Sequence, residues 1–225
     1  MYLTRDESKV LRKKIDTIDT SGIDLIICPN YLNYDVFSRY KLGSQDAFYE
    51  DKGSYTGEVS AYDLSLIGVK YSLVGHSERR KYDDNKAINA KIKAILRNSM
   101  TPILCVGETR LDRELMRTPE VIKKQLDTAL ENVKLDDSQE IFIAYEPEYL
   151  IGGKTALTKK EIDDTITYIK KIVDYYGIRN YKLLYGGSVT SNNISNIKSE
   201  KLDGYLIGSS SVDEKELQQI INCIK

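Results

Sequence analysis

The chain holds a single histidine, His76, inside the charged segment 75–80, which reads GHSERR. A second candidate for proton transfer, Glu146, directly follows an apolar run. A carboxylate in a dry site can take a proton from the carbon beside a carbonyl group, and a neutral imidazole can polarise that carbonyl. Ser77 and Glu78 indicate a helix start after His76, where the helix dipole disfavours a positive charge on the ring. Taken alone, each residue would fit a solvated surface loop; together they predict an acid–base pair.

Short apolar runs alternate with helical patterns along the whole chain. The runs are continuous rather than alternating, which is typical of strands buried on both faces of a parallel sheet. The pattern predicts one α/β domain over residues 1–225, either an open doubly wound sheet or a closed eight-stranded barrel. The glycine-rich turn that would favour the open sheet is not visible after the first run. The predicted strands are 24–28, 42–45 (the weakest), 71–75, 102–106, 141–145, 182–185 and 205–207.

Amphipathic stripes and start signals mark the predicted helices. Thr118-Pro119 suggests a cap followed by a helical proline, and Thr158 with Glu161 has the spacing of a capping box. The predicted apolar stripes are Val10, Leu11, Ile15 and Ile18; Ile88, Ile92, Ile95 and Leu96; Ile122, Leu126, Ala129 and Leu130; Ile162, Ile166, Ile169 and Val173; and Leu217, Ile220, Ile221 and Ile224.

Small and polar residues follow several of the predicted strands. In parallel α/β folds active groups lie at the carboxyl ends of the strands. Successive backbone N–H groups in glycine-rich loops can hold an anion, so the last two segments predict a phosphate site, although a simple chain turn would also use Gly186-Gly187. The residues that follow strands are His76, Gly107-Glu108, Glu146, Gly186-Gly187-Ser188 and Gly208-Ser209-Ser210.

The segment 146–156 has the composition of a lid. Pro147 stiffens its start, Gly152-Gly153 frees its end, and three apolar residues, 149–151, stand in its middle. Ordinary solvated loops rarely place three apolar residues there, so we expect this segment to close over a ligand.

Composition excludes several classes of function. Lysine plus arginine number 33 and aspartate plus glutamate 34, a formal charge of −1, which gives no basic field for nucleic acid. No run approaches the ~18 apolar residues of a membrane-spanning helix. Three dispersed cysteines and one histidine offer no metal-ligand spacing, so no metal or other cofactor is expected. Apolar surroundings of these cysteines predict reduced thiols and a cytoplasmic location.

Five blocks of the sequence resemble the triosephosphate isomerase family, in order and at suitable spacing. The resemblance runs from about Asp24 to the C-terminus, and GHSERR, AYEP with a GKTA-like hinge, and YGGSV are its specific parts. The blocks are GEVSAYDLSLIGVKYSLVGHSERR (57–80), CVGETR (105–110), AYEPEYLIGGKTA (144–156), LLYGGSV (183–189) and DGYLIGSSS (203–211).

The resemblance implies a (β/α)₈ TIM barrel that interconverts dihydroxyacetone phosphate and glyceraldehyde 3-phosphate in glycolysis and gluconeogenesis. It implies that Glu146 is the base and that neutral His76 polarises the carbonyl. The phosphate would rest on backbone N–H groups of Gly152, Ser188, Gly208 and Ser209. It further implies a homodimer, with the loop around Thr56 entering the neighbouring subunit.

Three departures from the family pattern stand out. The lid is one residue shorter, and Tyr149 stands where the family has tryptophan. Ser209 replaces a glycine, a change with modest effect unless that position needs a positive φ. The family's first strand, with its Asn-x-Lys motif, is absent from the chain as given, and Met1 falls just after that motif. We therefore expect seven strands and a start about ten residues late, with low stability and activity for the chain as written. An isomerase for a four-carbon sugar phosphate and an inactive phosphate-binding protein remain the alternatives.

Overall fold

The computed structural model describes residues 2–153 and 155–225. Met1 and Lys154 lie outside the described residues. The sequence interpretation placed the first just after the absent strand and the second in the lid, and both of these assignments stay predictions.

Seven parallel strands form one sheet in which every strand pairs with the next strand in the chain. An open doubly wound sheet reverses its strand order at a switch point, so this sequential order excludes that alternative and has the winding of a barrel. Within the described residues no strand precedes β1, as expected. The strands are β1 Ile26–Ile27, β2 Lys41–Ser44, β3 Tyr71–Val74, β4 Thr101–Val106, β5 Ile141–Tyr145, β6 Tyr181–Tyr185 and β7 Gly204–Tyr205.

Eight α-helices are found in the described residues, and most of them connect successive strands. The capping box predicted at the start of α6 is present, with the Thr158 side chain bonded to the Glu161 N–H and the Glu161 side chain bonded to the Thr158 N–H. The helices are α1 Arg5–Ile15, α2 Ala61–Leu66, α3 Asn85–Arg97, α4 Arg110–Glu114, α5 Thr118–Ala129, α6 Lys159–Tyr175, α7 Ile194–Ile197 and α8 Glu214–Ile224; short 3₁₀ helices are Tyr31–Asn33, Asp35–Phe37, Glu148–Leu150 and Ser209–Val212. None of the described helices is both long and apolar enough to cross a membrane.

The two faces of the sheet bury different sets of side chains. On the outer face Leu104, Val106 and Ile143 pack with the helices in the large core. Alternate residues of the same strands point to the inner face and form a separate cluster. The inner cluster consists of Leu73, Ile103, Cys105, Phe142, Ala144 and Leu184. Both faces of the central strands are therefore buried, which explains their continuous apolar runs. One domain over residues 1–225 stays a prediction, which this continuous sheet supports.

Three local predictions were wrong. Val10 is 56% exposed, because α1 buries the stripe of Leu11 and Ile15 and Val10 lies on its flank. Thr118 is the first helical residue rather than the cap, since Arg117 occupies the cap position. The segment after His76 forms consecutive hydrogen-bonded turns, and α3 begins only at Asn85.

Replacing Leu126 by alanine should lower the free energy of unfolding by about 2–5 kcal/mol, because Leu126 is fully buried on α5 and the change leaves a cavity. Leu66→Ala is the matched control: Leu66 ends α2 with 67% of its surface exposed, so a change within about 0.5 kcal/mol is expected. Urea unfolding measures both. Equal losses in the two variants would contradict the described burial.

Candidate active site

His76 and Glu146 meet at the carboxyl ends of β3 and β5. His76 Nε2 lies 3.6 Å from Glu146 Oε1, with the imidazole 22% exposed and the carboxylate 4% exposed. This distance is slightly too long for a direct hydrogen bond. The pair predicted from residue types is therefore assembled from segments 70 positions apart in the chain.

The His76 ring is held in one tautomer. The backbone N–H of Glu78 donates to Nδ1 at 3.3 Å, so Nδ1 acts as an acceptor and carries no proton. In a neutral imidazole the proton then belongs to Nε2, the atom that faces Glu146. The predicted helix start is replaced by turns whose N–H groups converge on His76, since Arg79 and Arg80 both donate to its carbonyl oxygen.

Gly75 directs the imidazole toward the site. Strict alternation after inward-pointing Leu73 would place the side chain of residue 76 on the helix side of the sheet. Gly75 leaves the strand conformation with φ at +71°, a value that favours glycine. The imidazole of His76 consequently faces Glu146.

Burial dominates the electrostatics of Glu146. It raises the pKa of the carboxyl above its usual value, because the charged form loses hydration, while His76, Cys105 and Arg80 oppose part of that rise. Oε2 has no hydrogen-bond partner among the described residues. A carboxylate that is poorly hydrated and only partly satisfied is a stronger base than an exposed one.

The position directly after β6, next to Glu146, is occupied by a glycine for steric reasons. A Cβ at Gly186 would lie 2.8 Å from Glu146 Cγ and 3.0 Å from its Oε1. Gly186 is also tied to β5, since its N–H donates to the carbonyl oxygen of Tyr145 at 2.9 Å. The first glycine of YGGSV therefore makes room for the carboxylate.

The four residues predicted to hold an anion lie in the lid and in the loops after β6 and β7. These two strands pair, with Tyr185 opposite Tyr205, so their loops leave the sheet side by side. Ser209 does not need a positive φ, whereas Ser188 adopts φ +51°. The structure gives the backbone N–H groups of these four residues no acceptor among the described residues: Gly152, Ser188, Gly208 and Ser209.

Two contacts connect the lid and the residue that follows it to β6 and its loop. The Ser188 hydroxyl donates to the carbonyl oxygen of Leu150 in the lid. At the far end, the N–H of Leu157 donates to the hydroxyl of buried Tyr185 at 3.2 Å. Tyr149 packs against the Arg110 guanidinium, which lies 5.4 Å from the centre of its ring.

Sequence reasoning did not single out Tyr185 or Cys105 as site residues. Tyr185 was counted as the end of an apolar run, and its hydroxyl was the available signal, because a buried tyrosine usually needs a hydrogen-bond partner. Cys105 was interpreted only as a buried thiol; it lies beside Glu146, and burial raises the pKa of this thiol well above its usual value. Glu108, a strand-end candidate, is fully buried and accepts a hydrogen bond from Tyr145 rather than contacting His76.

Glu146→Gln should stabilise the fold more at pH 8 than at pH 4. A carboxyl whose pKa is raised on folding contributes stability that is fully present below its unfolded value of about 4.3 and is lost as the pH rises through the folded pKa. Glutamine carries no charge to bury, so the increase in Tm over the unaltered protein should be larger at pH 8. Each 1 kcal/mol of added stability corresponds to roughly 2–4 °C in Tm. Thermal unfolding at the two pH values measures it.

Glu200→Gln serves as the control, because Glu200 is exposed in a turn and its variant should show the same small difference at both pH values. A Glu146→Gln gain that is independent of pH would show that desolvation of the charge does not govern this carboxyl.

Comparison with known proteins agrees with this geometry. The family model described as triosephosphate isomerase matches residues 1–224. Proteins named triosephosphate isomerase from Moorella thermoacetica and Thermoanaerobacter pseudethanolicus are 35% and 36% identical, each over 99% of this chain and 94% and 95% of their own length. One from Alkaliphilus metalliredigens is 38% identical over 92% of the chain and 89% of its length. The seven-stranded α/β fold is thus that of a TIM barrel, and the chain belongs to the triosephosphate isomerase family.

Proposed function

We propose that this protein is an isomerase that interconverts dihydroxyacetone phosphate and glyceraldehyde 3-phosphate through an enediolate. The observation that carries the proposal is the approach of Glu146 to His76, with a buried carboxylate on one side and an Nε2–H donor on the other. Family membership supports the same chemistry, and the reaction belongs to glycolysis and gluconeogenesis.

Glu146 takes the proton from the carbon beside the substrate carbonyl in this proposal. Its raised pKa favours this transfer, because a more basic carboxylate has a larger driving force for accepting a proton. The same carboxyl then returns the proton to the neighbouring carbon. His76 carries a proton from the hydroxyl oxygen of the first carbon to the former carbonyl oxygen, so that a ketose becomes an aldose with no net change in atoms.

His76 stabilises the negative charge that develops on the substrate oxygen. Its Nε2–H donates to the carbonyl oxygen while the Glu78 N–H occupies Nδ1. A neutral histidine beside a glutamate base is the arrangement that characterises triosephosphate isomerase as a class. A donor that is fixed before the reaction requires no reorganisation when charge appears.

The substrate phosphate rests on the free N–H groups of Gly152, Ser188, Gly208 and Ser209. Backbone N–H groups hold an anion without a charged side chain, and Gly208 leaves open space where a Cβ would stand. Since Ser209 keeps a negative φ, its replacement of glycine preserves the N–H. The lid, held by Ser188 and Tyr185, keeps water from the enediolate, which would otherwise expel phosphate.

A coupled assay on purified protein tests the activity. Dihydroxyacetone phosphate should be converted rapidly, and a four-carbon ketose phosphate should be a poor substrate. Turnover of only the four-carbon compound would show that the substrate is a four-carbon sugar phosphate instead. Phosphate binding without turnover of either compound would indicate an inactive binding protein.

Replacing Glu146 by glutamine or aspartate should lower kcat by orders of magnitude, because the first removes the base and the second withdraws it by one methylene. Ligand binding should be nearly unchanged, since the phosphate contacts lie on other residues. Glu200→Gln is again the control and should keep full turnover. A Glu146 variant with near-normal kcat would remove this residue from the base role.

We also propose that the protein is a homodimer. Residues 52–58 are exposed without interruption and carry Tyr55 at 44% exposure beside Thr56. At the base of this loop the N–H of Phe48 donates to the carbonyl oxygen of Val59 at 2.8 Å. The two ends of the loop are therefore held together, while its tip is exposed to solvent. Such a tip would gain contacts in the neighbouring subunit. The cytoplasmic location inferred from the cysteines stays a prediction.

Light scattering at micromolar concentration should give twice the mass of a single chain. Thr56→Arg should shift the mass toward one chain, because a long charged side chain cannot enter a close interface. A monomeric mass for the unaltered protein would contradict the dimer.

A further inference from the structure

A cluster of four charged side chains lies beside the turn that follows His76; Asp46, Asp83 and Lys91 are buried, and Arg79 is 37% exposed. Lys91, 2% exposed, places its ammonium 2.8 Å from Asp46 Oδ2 and 2.7 Å from Asp83 Oδ2. Arg79 lies 3.0 Å from Asp46 and 3.5 Å from Asp83. Two positive and two negative groups therefore share one site with balanced charge, away from the substrate contacts proposed above. Lys91 is the one buried lysine among the described residues.

The cluster joins side chains from three neighbouring segments. Asp46 follows β2, Lys91 lies on α3, and Arg79 and Asp83 belong to the turn that follows His76. Asp46 is itself anchored, since its carbonyl oxygen accepts the hydroxyl of Tyr31 at 3.1 Å. The turn therefore forms ion pairs on two sides, with Asp46 after β2 and with Lys91 on α3.

This turn is also the element that fixes the imidazole. The N–H of Arg79 donates to the carbonyl oxygen of His76 at 2.8 Å, and the N–H of Glu78 donates to Nδ1. A displacement of Arg79 would move the Glu78 N–H away from the ring. The hydrogen bond that fixes the tautomer of His76 would then be lost.

We infer that Asp46 and Lys91 are positioning residues for His76: through Arg79 and Asp83 they hold the 76–83 turn so that Nε2–H faces Glu146. The kinetic part of this inference rests on the proposed isomerase function; the structural part does not. Buried charges are costly to leave without a partner, so the loss of one member strains the whole cluster. Asp46→Asn leaves one net positive charge behind, whereas Asp46→Asn combined with Lys91→Met leaves the neutral pair of Arg79 and Asp83.

The single histidine makes a direct test possible. Nitrogen-15 NMR of the labelled imidazole should show one neutral ring with the proton on Nε2 in the unaltered protein. In Asp46→Asn we expect a mixture of the two tautomers. Turnover should fall roughly 10–10²-fold through kcat, with KM within about twofold, because the turn moves while the phosphate contacts stay in place.

The matched control is Asp164→Asn, which breaks an exposed ion pair with Lys160 on α6 and should leave both readouts unchanged. The double variant should recover part of the imidazole signal and part of kcat, since it restores the charge balance. A folded Asp46→Asn protein with an unaltered spectrum and kcat but a lower Tm would overturn the inference and leave the cluster a purely structural role.

Two measurements cover the case in which Asp46→Asn does not fold. The double variant is then decisive: a change in its spectrum relative to the unaltered protein supports the inference, and an identical spectrum overturns it. In the unaltered protein the N–H groups of Arg79 and Arg80 should exchange with solvent as slowly as those of α3, and exchange as fast as in loop 52–58 would contradict a held turn. The NMR and exchange results stand even if no isomerase activity is found, so failure of the proposed function is distinguishable.

Discussion

The structure depends above all on a carboxylate kept out of water beside an imidazole fixed in one orientation. Burial raises the pKa of the Glu146 carboxyl above its usual value, and His76 Nε2 lies 3.6 Å from that carboxylate. Each surrounding feature serves one side of this constraint. Gly186 leaves room for the carboxylate, and the Glu78 N–H donates to Nδ1 and so leaves Nε2 facing Glu146.

Parallel strand order accounts for the convergence of such distant residues. Consecutive pairing of β3, β4 and β5 places their carboxyl ends at one edge, so that His76 and Glu146 meet without a long loop. The lid segment begins at Glu146 itself. Just after its far end, the N–H of Leu157 donates to the hydroxyl of Tyr185, the residue before Gly186. Glu146, the start of segment 146–156 and Gly186 thus all lie at the ends of two paired strands, β5 and β6.

Much of this arrangement could be predicted from the sequence, and the exceptions have physical causes. Strand positions and the site residues follow local rules: apolar runs, small residues after strands, and a lone histidine. Val10 was misplaced because a stripe boundary is ambiguous by one residue on a helix. The cluster around Lys91 could not be predicted, since its members look like solvated surface charges until folding brings Asp46 against α3. Ser188 likewise gave no local signal of its positive φ.

The central claim is that Glu146 moves a proton between two adjacent carbons of the substrate. Dihydroxyacetone phosphate incubated with the protein in deuterium oxide tests this directly, with the product analysed by NMR. We predict deuterium at the carbon next to the new aldehyde, and no such exchange with Glu146→Gln, because a proton held on the carboxyl exchanges with solvent before its return. Product that forms without any deuterium, or exchange that persists at the normal rate in Glu146→Gln, would contradict the account.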